Sequence, residues 1–247
     1  MFRLDGRVAL VTGGGRGVGA GIVQALAASG AAVAVNDLAP ERADQAAREV
    51  GEAGGVALAA PFDVTDLAAV ADGIETVTAR LGPVDILVNN AGIAAGWRAA
   101  PFRDLAPEEW AAPIDLNLYG VLHCVRATVD GMCDRGWGRI ITISSGGGVM
   151  GLGSGLSTYG AGKGAAISFT RHLAIEVARF GVTANTLALG LMAVTSGETT
   201  SPDAVRRVPV GRLGTGDDVG AAVVWLAAEG SWVTGQTLGI NGGSITS

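Results

Sequence analysis

Lysine is nearly absent from this chain of 247 residues: Lys163 is the only one, and every other basic residue is an arginine. The 2 histidines and 2 cysteines are as scarce, aromatic residues make up 5% and charged residues 16%, and the formal net charge is -6. Each shortage excludes something. An acidic chain without a basic cluster cannot displace counterions from a polyanion, which removes nucleic acid as a partner. Cys124 and Cys133 are too far apart for a CxxC motif, and so few histidines assemble no metal-ligand set. Both cysteines read as buried packing residues in a reducing cytosol. The apolar run within MFRLDGRVALVTGGG is too short for a signal peptide, and glycine and turn residues interrupt the uncharged stretches at 17–36 and 140–162. The expectation is a cytoplasmic protein with no membrane partner.

What is abundant is small and apolar. Alanine, valine and glycine dominate, and short strand-like runs alternate with longer segments of helical spacing: VALVT near residue 8, AVAVN near 32, VALAA near 56, VDILVN near 84, GRIITIS near 138, VTANTLA near 182 and QTLGI near 236. Strands apolar along their whole length, separated by helices, indicate an α/β fold whose seven-stranded parallel sheet is covered on both faces. Val18, Ile22 and Leu26, then Leu67, Val70, Ile74 and Val77, give the matching helical stripes. No repeat, linker or composition break divides the chain, so residues 1–247 read as one domain. The turn formers of SGETTSPD place a mobile substrate loop at about 190–209.

The first strand leads directly into TGGGRGVG. Glycines at 13, 17 and 19 let a chain turn tightly and bring backbone N–H groups to a pyrophosphate at the start of a helix, with Gly15, Arg16 and Val18 in the same turn. The second strand ends on Asp37, twenty residues after Gly17, the spacing at which an acid reaches the adenosine ribose. Leu38 follows it. Asp37 could equally cap the helix starting near Pro40. A carboxylate about 4 Å from a 2′-phosphate meets repulsion of about 4 kcal/mol at an intermediate effective dielectric, so Asp37 favours NAD. Arg16 pulls toward NADP, since a guanidinium in the turn can hold a phosphate, but the expectation drawn from Asp37 is NAD, with NADP as the alternative.

STYGAGKGAA places Tyr159 and Lys163 four apart, on one face of a helix. A phenol with a pKa near 10 is a poor base at neutral pH, and a nearby ammonium favours its ionised form. Such a pair is a usable proton carrier. A guanidinium, planar and broader, cannot replace a compact charge that donates in several directions.

Taken together, TGGGRGVG, NNAG at 89–92, DLNL around Asn117, ITISS ending at Ser145, YGAGK and the tail from PVGRLG to GINGG resemble the short-chain dehydrogenase/reductase family along nearly the whole chain, and its 3-oxoacyl-thioester-reductase-like branch in layout. The resemblance implies a Rossmann-type, doubly wound domain transferring hydride between a nicotinamide and a carbonyl or alcohol. It implies Tyr159 as acid/base, Ser145 as hydrogen-bond donor to the substrate oxygen, and Lys163 as the group that holds the nicotinamide ribose and lowers the phenol pKa. Asn117 would position a water relaying protons toward Lys163. Asp63 and Val64 would meet the adenine, and Asn89, Asn90, Ala91, Gly92 and Gly190 would line the cofactor cleft. It also implies a homotetramer built on helices near 107–134 and 157–179 and on the carboxy-terminal strand with its preceding helix.

Each assignment has a competing explanation. Ser144 rivals Ser145, Asn117 could bond neighbouring backbone, Asp63 could cap the helix near Asp66, and His123 and His172 read as packing or surface residues. The family pattern is also broken: 14 positions separate Ser145 from Tyr159 where it has 13, Leu189 replaces a proline, and Thr195 is displaced by one. Met150, Leu152, Leu156, Trp97, Leu191 and Met192 could form an apolar pocket for a secondary alcohol or ketone. The alternatives are an NADPH-dependent 3-oxoacyl thioester reductase and a catalytically silent nucleotide-binding redox sensor.

Overall fold

A parallel strand buried on both faces needs apolar side chains in both directions, and the central strands have them. β1 (Val8–Val11) and β4 (Ile86–Asn89) are buried at every residue, β5 (Gly138–Ser145) at all but its last and β6 (Val182–Leu189) at all but its second. β2 (Ala32–Val35) is nearly as enclosed. β3 (Val56–Ala59) and β7 (Thr237–Ile240) are more exposed because they are the edges of the sheet. The structure, a computed structural model, describes residues 2–93, 96–153, 155–193 and 201–246. All seven expected strands form one sheet in the order β3-β2-β1-β4-β5-β6-β7, every pairing parallel.

Alternation along each strand feeds two cores. Ala9, Val11, Val33, Val35, Val88 and Ile141 pack with Ile22, Val23 and Leu26 of α1 (Gly17–Ala28), Ala43, Ala46 and Val50 of α2 (Pro40–Glu52), and Val219 and Val223 of a late helix, Gly216–Ala227. On the opposite face Val8, Leu10, Leu87 and Ile140 meet Val70, Ile74 and Val77 of α3 (Leu67–Leu81) and the helices that follow β4 and β5. Each fully buried Leu or Ile contributes about 1.5–3 kcal/mol by leaving water. Leu67 departs from its expected stripe: it stands half-exposed just after Asp66, which caps α3 by accepting from the N–H groups of Ala68 and Ala69.

After β4 the chain forms α4 (Ala111–Ile114), a π-helical turn over Asp115–Tyr119, and α5 (Gly120–Asp134). The extra residue of a π turn rotates Asn117 inward, where it is buried. A short α6 (Gly146–Val149) and the long α7 (Ser157–Val177) follow β5. Within the expected loop at 190–209 the described residues are tied down: Gly214 N–H donates to Leu191 O, Ala193 N–H donates to Gly214 O, and α8 spans Pro202–Arg206 before α9 (Gly216–Ala227). Its remaining part, including Thr195, lies outside the described residues. No described helix is long and apolar enough to cross a membrane.

Candidate active site

β1 lies between β2 and β4, so successive connections leave it in opposite directions and open a crevice at the carboxyl ends of β1 and β4. The glycine turn fills that point. Gly13 has φ +60, a left-handed conformation that L side chains rarely adopt, and Gly19 lies so close to Gly13 O that a Cβ would displace the turn. Asn90 Nδ2 donates to Thr12 O and Gly13 O at 2.9 Å each, and Thr12 Oγ1 accepts from the N–H groups of Asn90 (2.9 Å) and Ala91 (3.1 Å). The two loops are thus tied together by a threonine that motif reading passed over. Arg16 is the exposed N-cap of α1 and provides no side-chain cap, so the first N–H groups of α1, with Gly17 and Val18 at its start, remain for a ligand. The Val18 side chain itself packs on the core.

Asp37 is buried, and it is not a lone carboxylate. Its Oδ1 accepts from Arg42 Nη2 (2.6 Å), Arg42 Nε (3.0 Å) and the Ala39 N–H (3.1 Å). It does not cap α2, whose N-cap is Ala39. This ion pair removes the basis of the NAD preference drawn from Asp37 alone, because a guanidinium beside the carboxylate offsets its repulsion of a phosphate. Leu38 is exposed. Asp63 Oδ1 accepts from the Thr65 N–H and hydroxyl, while Val64 is buried with its carbonyl 3.0 Å from His123 Nδ1. His123 is therefore more than a packing residue: it holds the Val64 backbone.

The reactive end is built by β5, the π turn and α7. Lys163 is buried, its ammonium donates to Ile143 O at 2.7 Å, and burial pushes its pKa down to about 8. Its Nζ is 5.9 Å from the centroid of the Tyr159 ring. Burial pushes the Tyr159 phenol up, and hydrogen bonding to Ser145 pulls it part of the way back. The expected lowering of the phenol pKa by Lys163 is not found in this arrangement: desolvation of the half-buried phenol dominates, and the ammonium is directed at the sheet. Trp97 packs on the Tyr159 ring, centroids 5.4 Å apart.

The two serines separate by strand alternation. Ser144 is buried and donates to Lys163 O at 3.2 Å, fastening α7 to β5. Ser145 faces the phenol and accepts from the Gly147 N–H at 3.2 Å. Ser145 also pairs with Leu189, which sets Gly190 beside it; the Gly190 N–H donates to Ile240 O at 3.0 Å.

Asn117 Nδ2 donates to Pro113 O at 2.8 Å, yet its Oδ1 is buried without a partner among the described residues. That oxygen and Lys163 Nζ converge on Gly92, lying 3.2 and 2.7 Å from where a Cβ there would sit. A tight glycine turn, an uncapped helix start, an orphaned acceptor and an ammonium crowding a glycine form a cradle that fits a nicotinamide dinucleotide. Beside it opens a cleft of about 580 Å³ whose walls include Phe102, Met150, Leu152, Leu156, Gly147 and Gly160. Gly147 and Gly160 adjoin Ser145 and Tyr159, which do not themselves line it. Of the other expected pocket residues, Trp97 lies on Tyr159, Leu191 is exposed and Met192 packs on the core.

A family model described as short chain dehydrogenase matches residues 7–204. An acetoacetyl-CoA reductase of Rhizobium meliloti (strain 1021) is 40% identical over 243 residues, covering 96% of this chain and 98% of that protein. A 3-oxoacyl-(acyl-carrier-protein) reductase of Escherichia coli (strain K12) is 39% identical over 247 residues, covering 98% of both. A solved gluconate 5-dehydrogenase from Burkholderia cenocepacia J2315, in complex with NADP and tartrate, matches with a TM-score of 0.90 at 39% identity, over 98% of this chain and 96% of that one.

Proposed function

The chain belongs to the short-chain dehydrogenase family and is an oxidoreductase, and on that premise we propose that it reduces the 3-oxo group of an acyl thioester with a nicotinamide coenzyme, by proton transfer from Tyr159. The observation that carries this is the half-buried phenol of Tyr159, on the side that Ser145 faces and one helical turn from a desolvated ammonium. When bound, the nicotinamide supplies the hydride that the carbonyl carbon accepts.

The chain's own groups manage the oxygen. The Ser145 hydroxyl donates to the carbonyl oxygen and withdraws charge from it, and the Tyr159 hydroxyl gives that oxygen its proton as the alcohol forms. Because burial holds the phenol protonated, Tyr159 is in the form the reduction needs throughout the neutral range. The Lys163 ammonium would hold the ribose hydroxyls of the coenzyme, and the Oδ1 of Asn117, unpartnered among the described residues, would accept from a water that relays protons toward Lys163 and so to Tyr159. Gly13, Gly15, Gly17 and Gly19 with the start of α1 would hold the pyrophosphate, Asp37 the adenosine ribose, Asp63 and Val64 the adenine, and Asn90, Ala91, Gly92 and Gly190 the walls.

Three things support the thioester over a simple secondary alcohol or ketone or a sugar acid: the activities of the two related reductases, the apolar side chains of Phe102, Met150, Leu152 and Leu156, and a cleft lining without a charged side chain among the described residues. Measuring kcat/KM for acetoacetyl-CoA, a cyclic ketone and 5-ketogluconate with both reduced coenzymes tests the reading. The thioester should lead by about a hundredfold or more, since such discrimination follows from a few kcal/mol of differential binding. A lead for either of the others contradicts it.

The same reading takes the chain as one cytoplasmic domain assembled as a homotetramer. Support comes from the free thiols of Cys124 and Cys133 and from apolar side chains left exposed, Ile175 on α7, Trp225 on α9 and Trp232 beyond it. A monomer in sedimentation at micromolar concentration contradicts the assembly.

A further inference from the structure

Arg42 stands in the first turn of α2, where the helix dipole disfavours a cation and where Glu41 is the residue type that belongs. A local conflict of this kind is the mark of a position held for another purpose. The guanidinium reaches back to Asp37, and both of its bonds, from Nε at 3.0 Å and Nη2 at 2.6 Å, go to the same oxygen, Oδ1. Two edges are left over. Asp37 Oδ2 faces the glycine turn, 2.8 Å from where a Cβ on Gly15 would sit, and Arg42 Nη1 lies outside the pair on a side chain that is 40% exposed. The stem of Arg42 presses on the same glycine, its Cβ 2.7 Å from that position, so the pair forms the wall of the turn itself.

We propose that Arg42 is a specificity-determining residue for the coenzyme: its guanidinium neutralises Asp37 and offers Nη1 to a 2′-phosphate, so the site accepts NADP(H) as well as NAD(H). The inference rests on the reading that the glycine turn holds a nicotinamide dinucleotide. Asp37 Oδ2 serves the ribose hydroxyls when no 2′-phosphate is present, and Arg42 serves the phosphate when it is. Arg16, exposed at the N-cap of α1, is a separate cation that touches neither partner, and its replacement provides the contrast.

Binding of NADPH and NADH to the full chain, followed by coenzyme fluorescence, tests this without any substrate, and adenosine 2′,5′-bisphosphate by calorimetry isolates the phosphate. The native protein should bind both coenzymes within about tenfold of each other, and Arg42→Gln should weaken NADPH and the bisphosphate by about tenfold or more while NADH shifts by less than about threefold. Asp37→Asn should do the reverse, weakening NADH more than NADPH. An Arg42→Gln protein with an unchanged ratio of the two affinities overturns the assignment, as does a change in that ratio produced by Arg16→Gln alone. If Arg42→Gln does not fold, Arg42→Lys is measured in its place: a shifted ratio supports the proposal and an unchanged one overturns it. A native protein that binds neither coenzyme removes the dinucleotide reading itself, a result distinct from binding with an unaltered preference.

Discussion

The ammonium of Lys163 donates to the carbonyl oxygen of Ile143 at 2.7 Å, which commits the chain's only lysine to the end of the central sheet, one helical turn from Tyr159. A charge placed there is expensive to desolvate, and the fold accepts that expense where an apolar side chain would pack well.

The consequence for stability has a definite sign. Burial lowers Lys163 from 10.5 to about 8, so between about pH 8 and 10.5 the unfolded chain keeps a proton that the folded chain has released, and stability gains on raising the pH, by about 3 kcal/mol over the whole window. Tyr159 and Cys124 are both raised by burial, and their contributions are lost as the pH climbs past about 10 and 9 respectively. The difference between the native protein and Lys163→Met isolates the lysine. Urea unfolding should show the variant's relative stability falling by about 1 kcal/mol per pH unit from pH 8 to 9.5. A constant difference would mean that the amine is solvated in the fold.

Two adjacent serines should behave as different kinds of residue. Ser145→Ala should lower kcat by about a hundredfold, the cost of one preorganised donor at a reacting oxygen, with little change in melting temperature. Ser144→Ala removes the bond to Lys163 O, and should cost about 1 kcal/mol of stability and much less of kcat. Steady-state kinetics alongside thermal melts read both effects, and an interchange of the two outcomes would reassign the serines.

Thr12 carries a load its position alone does not advertise. Its hydroxyl oxygen serves two backbone N–H groups, so Thr12→Val, equal in shape, leaves both unsatisfied at a cost of about 2–4 kcal/mol. Chemical denaturation should show this loss together with weaker coenzyme binding. A Thr12→Val protein as stable as the native one would mean that water replaces the hydroxyl.

The sheet was legible in the residues because central parallel strands are apolar on both faces, and each expected run became a strand. That Tyr159 and Lys163 share one helix a turn apart was legible because a spacing of four is a local helical rule. What the sequence could not disclose depends on distant groups. Arg42 meets Asp37 across a turn between strand and helix that follows no periodic pattern. The orphaned oxygen of Asn117 arises from a π turn, which leaves no signature in DLNLY. The direction of the Tyr159 shift turns on whether desolvation or the lysine field prevails, and that is decided by where the ammonium points. Val64 and His123 are 59 positions apart, so their contact was equally invisible.

The most direct measurement is Tyr159→Phe, which removes one oxygen and keeps the ring against Trp97. Turnover of acetoacetyl-CoA and the Kd for NADPH are measured on the same preparation. A loss of kcat of at least about a thousandfold with Kd within about threefold of native is the result expected when a positioned proton donor is deleted. A variant that keeps more than about a tenth of native kcat would show that the proton comes from elsewhere.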